Sequence, residues 1–130
     1  MSIYAYVLTQ ARSSTFFLPM AKNHPALSEE AIDLVAARFR VLGEPSRLRL
    51  LQSLRKSELS VSQLVEATGL AQANASRHLQ ALADAGIVGR RREGASVIYF
   101  IADPGIFDLC EIVCGSLQRR LQNHARALGA

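Results

Sequence analysis

The chain of 130 residues has only two cysteines, no long unbroken apolar run and no recognisable catalytic grouping. Each shortage removes a class of protein. Two cysteines close together cannot build a disulfide scaffold, so a reducing, cytoplasmic setting is expected. Hydrophobic residues make up 49% of the chain, but polar residues interrupt them throughout, which argues for a soluble globular protein and against a membrane span. There is no Cys-x-x-Cys at a helix start, no glycine-rich phosphate loop and no Ser/His/Asp constellation, so nothing supports an enzyme, a thiol oxidoreductase included. The length fits one domain, too short to bury a large core alone. The net charge of +4 is modest, and its meaning depends on where the cations lie.

They cluster in one stretch, residues 60–92, SVSQLVEATGLAQANASRHLQALADAGIVGRRR. Ser60 followed three residues later by Gln63 is a capping box that opens a short helix, and Gly69 is suited to end it. A second helix is expected over about residues 72–85. At 100° per residue, Ala75, Leu79 and Leu82 share one face, while Ala73, Ser76, Arg77 and Gln80 point away, with Gln72 and Asn74 near the helix start. Such a face suits the major groove, where Arg pairs with guanine edges and Asn or Gln with adenine. Taken singly, each of these residues reads equally as part of a solvated helix face. His78 leans toward the core side, where it either fixes the helix or touches a phosphate. Two β-prone runs then flank Arg90, Arg91 and Arg92 with glycines on either side, a hairpin with a basic tip. Helix, turn, helix and basic hairpin together read as a winged helix, the second helix in a groove and the wing arginines on backbone or minor groove. A module for protein contacts alone is disfavoured, because Arg77 and the wing arginines call for an anionic partner.

The flanks extend this plan. Residues 1–27 show no helical period and no continuous core for a signal peptide; they are either an arm, packed on a dimer or disordered, or they include a segment, residues 1–19, upstream of a true start at Met20. Residues 28–128 are read as the DNA-binding and dimerisation domain. Ser28 caps a first helix whose apolar stripe is Ile32, Val35, Ala36 and Phe39. Pro45 starts a second, with Leu48, Leu51 and Leu54 expected inward and Arg47, Arg49 and Arg55 outward. Residues 58–60 are expected to form a very short strand beside the wing. A last helix from Asp103–Pro104 to about Leu128 aligns Ile106, Cys110, Val113, Leu117, Leu121, His124 and Leu128 on one side. The fold class is therefore mainly α with a small β-hairpin wing.

The segment from Glu58 to Phe100 resembles the arsenic-repressor/metallothionein-repressor (ArsR/SmtB) family of bacterial winged-helix regulators. The resemblance rests on Ser76-Arg77-His78-Leu79, Leu82, Ala85-Gly86-Ile87-Val88, the wing arginines and Tyr99, and on Leu42-Gly43-Glu44-Pro45-Ser46-Arg47-Leu48 upstream. It covers residues 31–128. It implies a repressor that binds double-stranded DNA as a homodimer, joined through its first and last helices. Two-fold symmetry then sets two recognition helices about one DNA turn apart, so an inverted-repeat operator follows.

Many members of that family leave DNA when a metal or metalloid binds. A site resembling E-L-C-V-C-D-L is absent, since Ser60 and Ser62 replace both thiols in Glu58-Leu59-Ser60-Val61-Ser62-Gln63-Leu64, and serine is a poor soft-metal ligand. A site on the last helix built from Asp-x-His and His-x-x-Glu is not matched either, because Asp108 is followed by Leu109 and Cys110, and Ala127 stands three after His124. What remains is Cys110 and Cys114. Thiols at i and i+4 have Cβ atoms about 6 Å apart, which suits two legs of As(III), Cd(II) or Zn(II) as an inducer, with no cofactor required. The same spacing is too long for an easy disulfide, which wants about 3.8 Å. Three readings stay open: a metal or metalloid sensor, a thiol-redox or reactive-sulfur switch, and plain packing with no cysteine-based sensing. A third ligand would come from His24, His124 or Glu111.

Overall fold

The computed structural model describes residues 26–129. Nearly all of the arm, His24 included, lies outside the described residues. The expected span 28–128 is divided: residues 27–104 form one unit, and the last helix belongs to a second. In order, the elements are α1 (Glu29–Leu42), α2 (Pro45–Leu54), β1 (Leu59–Ser60), α3 (Val61–Thr68), α4 (Gln72–Asp84), β2 (Val88–Glu93), β3 (Ser96–Ile101) and α5 (Gly105–Ala127).

The helix ends follow from short polar side chains. The Ser28 hydroxyl accepts from the amide of Ala31 at 3.2 Å, with Glu29 and Glu30 in the first turn of α1. Pro45 opens α2, and the Glu44 carboxylate accepts from the Arg47 amide at 3.0 Å. At α3 both halves of the capping box form: Ser60 Oγ accepts from the Gln63 amide at 3.2 Å, and Gln63 Oε1 accepts from the Ser60 amide at 2.9 Å. The end of α4 is a Schellman turn. Gly86, at φ 74°, lets its own amide reach the Ala83 carbonyl and the Ile87 amide reach the Leu82 carbonyl, both at 3.0 Å. Leu82 and Ile87, thereby brought together, are both fully buried.

The sheet has the order β1-β3-β2, all antiparallel. Leu59 lies opposite Tyr99 and Ser60 opposite Ile98, so the expected two-residue strand does pair beside the wing. Opposite β3's other edge, Arg90 faces Tyr99, Arg91 faces Ile98 and Arg92 faces Val97. The core is built by Leu50, Leu51 and Leu54 of α2, Leu64 of α3, Ala75, Leu79 and Leu82 of α4, and Ile87, Val88 and Tyr99 around the sheet. The recognition helix α4 packs on α2, α3 and β2.

Two expectations about α2 are corrected. Leu48 is 40% exposed, while Arg47 is partly buried and Leu50 fully so. At 100° per residue Arg47 falls between Leu50 and Leu51 and in line with Leu54, whereas Leu48 lies outside that arc. The stripe on α1 is not core: Ile32, Val35 and Phe39 are 43%, 41% and 50% exposed in a single chain, and of the helix only Leu42, in its last turn, is buried, α1 being in contact with α2. The helix α5 has Ile106 and Gly115 buried, but Val113, Leu117, Leu121 and Leu128 exposed.

Leu79 has no exposed surface, and truncating a fully buried leucine removes transfer energy and leaves a cavity. Leu79→Ala is expected to lower stability by about 2–5 kcal/mol, read from urea unfolding at fixed protein concentration.

Candidate nucleic-acid interface

The helix α4 is two-sided. Ala75, His78, Leu79 and Leu82 are its buried residues, and Gln72, Ala73, Asn74, Ser76, Arg77 and Gln80 are exposed. Its interior face is apolar except for His78, so burial alone fixes which side chains look outward. On that outer face Arg77 Nη2 donates to Asn74 Oδ1 at 3.3 Å, one turn back. This link draws the guanidinium back toward the helix start, and no ion pair ties Arg77 down among the described residues. Asn and Arg together can serve adenine and guanine edges.

Gln80 has both ends engaged. Its Nε2 donates to Asp84 Oδ1 at 2.7 Å, and its Oε1 accepts from Arg90 Nη1 at 2.5 Å. The second bond joins the recognition helix to the wing, so one polar surface runs from α4 onto β2.

The three wing arginines differ because a strand turns alternate side chains to opposite faces. Arg90 and Arg92 share a face, and Arg90 is the one linked to Gln80. Arg91 is on the other. It pairs with Glu58, lies 3.8 Å from a carboxylate oxygen of Glu93, and stands 5.9 Å from the centre of the Phe100 ring. Gly89 makes this stack possible, since a Cβ there would fall 2.4 Å from the Phe100 ring. Arg92 has no partner among the described residues and is exposed. Proximity in the sequence gave no sign of this division; the alternation of strand side chains did.

His78 is 8% exposed, on the interior side. Its Nδ1 accepts from Arg47 Nε at 3.2 Å, and its Nε2 lies 3.7 Å from Glu44 Oε2. Of the two roles open to it in the sequence, burial favours fixing the helix over touching a phosphate. Neither Glu44 nor Arg47 stood out as a site residue. The position of Arg47 inside the leucine arc of α2 was the signal that marks it.

Cys110 and Cys114 are both half-buried, and no disulfide joins them. Among the described residues, no three His, Cys, Asp or Glu side chains come together to hold a metal ion. His124 and Glu111 therefore complete no site with the cysteines within the described chain. Among the described residues, no helix is long and apolar enough to cross a membrane.

A capped helix-turn-helix, an outward polar recognition face and a basic antiparallel wing define a winged helix-turn-helix DNA-binding protein. The family described as "Bacterial regulatory protein, arsR family" matches residues 44–89. The HTH-type transcriptional regulator Rv0081 of Mycobacterium tuberculosis is 36% identical over 102 residues, 78% of this chain and 90% of its own length. The crystal structure of Rv0081 superposes with a TM-score of 0.68, covering 75% of this chain and 99% of that one. The chain belongs to the arsR family: it is a DNA-binding transcriptional regulator of the ArsR/SmtB repressor type, and not an enzyme. A Streptomyces lividans protein named "Probable mercury resistance operon repressor" is 40% identical over 77 residues; the match takes in 59% of this chain and 62% of that relative. The solution structure of a homodimeric winged helix-turn-helix DNA-binding domain, Mb0332 of Mycobacterium bovis, is 32% identical with a TM-score of 0.64, covering 76% of this chain and 94% of that one.

Proposed function

We propose that the chain is a homodimeric repressor that reads an inverted-repeat operator and is released when a soft metal or metalloid binds Cys110 and Cys114. The observation that carries the DNA reading is the Gln80–Arg90 bond, which joins the outward face of α4 and the wing into one cationic surface. Gln72, Asn74, Ser76 and Arg77 face the bases in the major groove, Arg77 as the main reader. Arg92 and Arg90 contact backbone phosphate, while Arg91, already held by Glu58 and Glu93, braces the wing. Gln80 links the two groups and reads little itself.

The dimer reading is supported by the exposed apolar stripes. Ile32, Val35 and Phe39 on α1, and Val113, Leu117 and Leu121 on α5, are each 41–69% exposed in one chain, and a second copy burying them accounts for both. A neighbour of the same fold is a homodimer. The relatives' names add metal response: one is named a probable mercury resistance operon repressor, another an antimony-specific transcriptional repressor. Cys110 and Cys114 supply two soft thiolate donors one helical turn apart, chemistry that suits such ions better than oxygen-seeking ones. With no third ligand among the described residues, the set is completed by the second copy, by residues outside the described span or by solvent.

Three outcomes test this reading. Arg77→Ala is expected to lower affinity for a duplex selected by the wild type by about 1–3 kcal/mol and to flatten its base preference, measured by fluorescence anisotropy on single-base variants. An unchanged preference would mean that another face reads the DNA. Arg92→Ala should reduce the slope of log K against log salt by about one, with a smaller change for Arg91→Ala; equal effects would contradict the division within the wing. Titrating the reduced protein on that duplex with As(III), Cd(II), Zn(II), Hg(II) and polysulfide should show release by at least one metal ion, abolished in Cys110→Ser/Cys114→Ser. Release that survives the double substitution rules the cysteine pair out as the sensor, and release by polysulfide alone transfers the role to sulfur chemistry.

A further inference from the structure

We propose that His78 is a positioning residue for sequence recognition: its buried ring, held by Arg47 and facing Glu44, sets the orientation in which α4 presents its outer face to bases. The proposal rests on the operator-binding reading above and adds a part that the DNA-facing residues do not supply.

Three polar side chains meet under the recognition helix. Arg47 Nε donates to His78 Nδ1 at 3.2 Å, and Arg47 Nη1 donates to the Val41 carbonyl at 3.2 Å. With Nδ1 accepting, the ring's N–H lies at Nε2, which faces Glu44 Oε2 at 3.7 Å. Glu44 in turn caps α2 through the Arg47 amide at 3.0 Å. A single ring on α4 is thus attached to the last turn of α1 and the first turn of α2.

Attachment alone does not require these groups. Ala75, Leu79 and Leu82 are fully buried and already hold α4 to the core, and a leucine at position 78 would extend that contact without burying polar atoms. Apolar contacts, however, tolerate small rotations of a helix, because no direction is preferred. A planar guanidinium meeting one ring nitrogen permits a narrow range of distances and angles. The outer side chains sit about 5–6 Å from the helix axis, so turning α4 by about 20° shifts them by about 2 Å, more than a bidentate contact to a base edge accepts. Ser76 and Arg77 immediately precede His78, and Asn74 lies one turn before it. The orientation fixed at 78 is therefore passed directly to the reading residues. α1 also carries the exposed apolar stripe, so the same three groups relate the reading helix to the helix that a second copy covers.

The test uses the full chain and two probes: a duplex selected by the wild type from random sequence, and a scrambled duplex of the same length and composition. His78→Leu keeps the volume and removes the acceptor; Arg47→Lys keeps the charge and removes the planar donor. Each is expected to weaken binding to the selected duplex about tenfold, with affinity for the scrambled duplex and the salt slope unchanged. The double variant should lose no more than the worse single one, because both remove the same bond. His78→Asn, which returns an acceptor near Nδ1, should recover much of the loss. Full selectivity in folded His78→Leu, equal losses on both duplexes, or additive losses in the double variant would each overturn the proposal. Should His78→Leu fail to fold, Arg47→Lys decides on the same criteria. A wild type that selects no duplex sinks the operator reading and this inference with it, whereas a selective wild type beside an equally selective His78→Leu sinks this inference alone.

Discussion

A hydrogen bond between Arg47 and His78 crosses the interior of the reading unit, and much of the local geometry depends on it. Burying a guanidinium and an imidazole is unfavourable unless their donors and acceptors are met. Here the demands are met mutually: the imidazole accepts from the guanidinium, the Val41 carbonyl at the end of α1 takes a second donor, and the Glu44 carboxylate stands by both the ring and the start of α2. The polar groups left open where α1 ends and α2 begins are closed by the side chains that also grip α4. A helix corner and a recognition helix thus share one solution. The match to the arsR family begins at Glu44 and runs past His78, so all of the side chains in this arrangement lie within the matched span.

With α4 fixed from inside, its outer face needs few internal constraints, and it has few. Asn74 and Arg77 touch each other, Gln80 reaches the wing, and Ser76 and Gln72 remain exposed. The wing shows the opposite economy of charge. Three consecutive arginines on a strand cannot all face one way. Arg91 falls on the side of Phe100 and Glu58 and pairs its charge at the surface with carboxylates of its own chain, whereas Arg92 has no such pairing among the described residues. Phe100 lies flat over Gly89 because no side chain is there to lift it. A glycine that reads as a turn signal in the sequence is, in the fold, the floor of an aromatic contact.

How much of this was legible in the sequence varies with the kind of signal. Capping residues act within four positions and were read directly: Ser28, Ser60, Gln63 and Gly69 all stand where they were expected. The two faces of α4 were legible because its apolar residues recur at three and four. On α2 four leucines crowd seven positions, from Leu48 to Leu54, and the uniform step of three from Leu48 through Leu51 to Leu54 suggests one inner face. That step drifts by 60° each time, so it placed Leu48 inside and Arg47 outside, the reverse of the fold. The pairing of Arg47 with His78 joins positions 31 apart, and the clasp of Arg91 by Glu58 depends on a strand register that no local pattern specifies. The apolar stripes of α1 and α5 were visible as stripes, but periodicity does not say what covers an apolar face. Both stay exposed in a single chain because the fold packs its core on other faces.

A signal at Cys110 and Cys114 on α5, as proposed, would have to act through a difference between two states of the dimer. A ligand moves an equilibrium only by the difference in its affinity for the two states, here the DNA-bound and the free dimer. Two half-buried thiols on a helix whose next turns expose Leu117 and Leu121 lie along a surface that a second copy would cover. Under the proposed dimer, an ion held there would gain or lose according to how that surface is packed, and the packing would set the distance between two reading units across the symmetry axis. Half-site spacing is a rigid demand of the DNA, about one helical turn between centres. On that reading, a small change in the spacing between the subunits would oppose binding without any movement of α4 or the wing within its own chain. Arg47 and His78 would then serve on the reading side as a fixed reference, holding α4 to the corner of α1 and α2 while the relation between subunits changes.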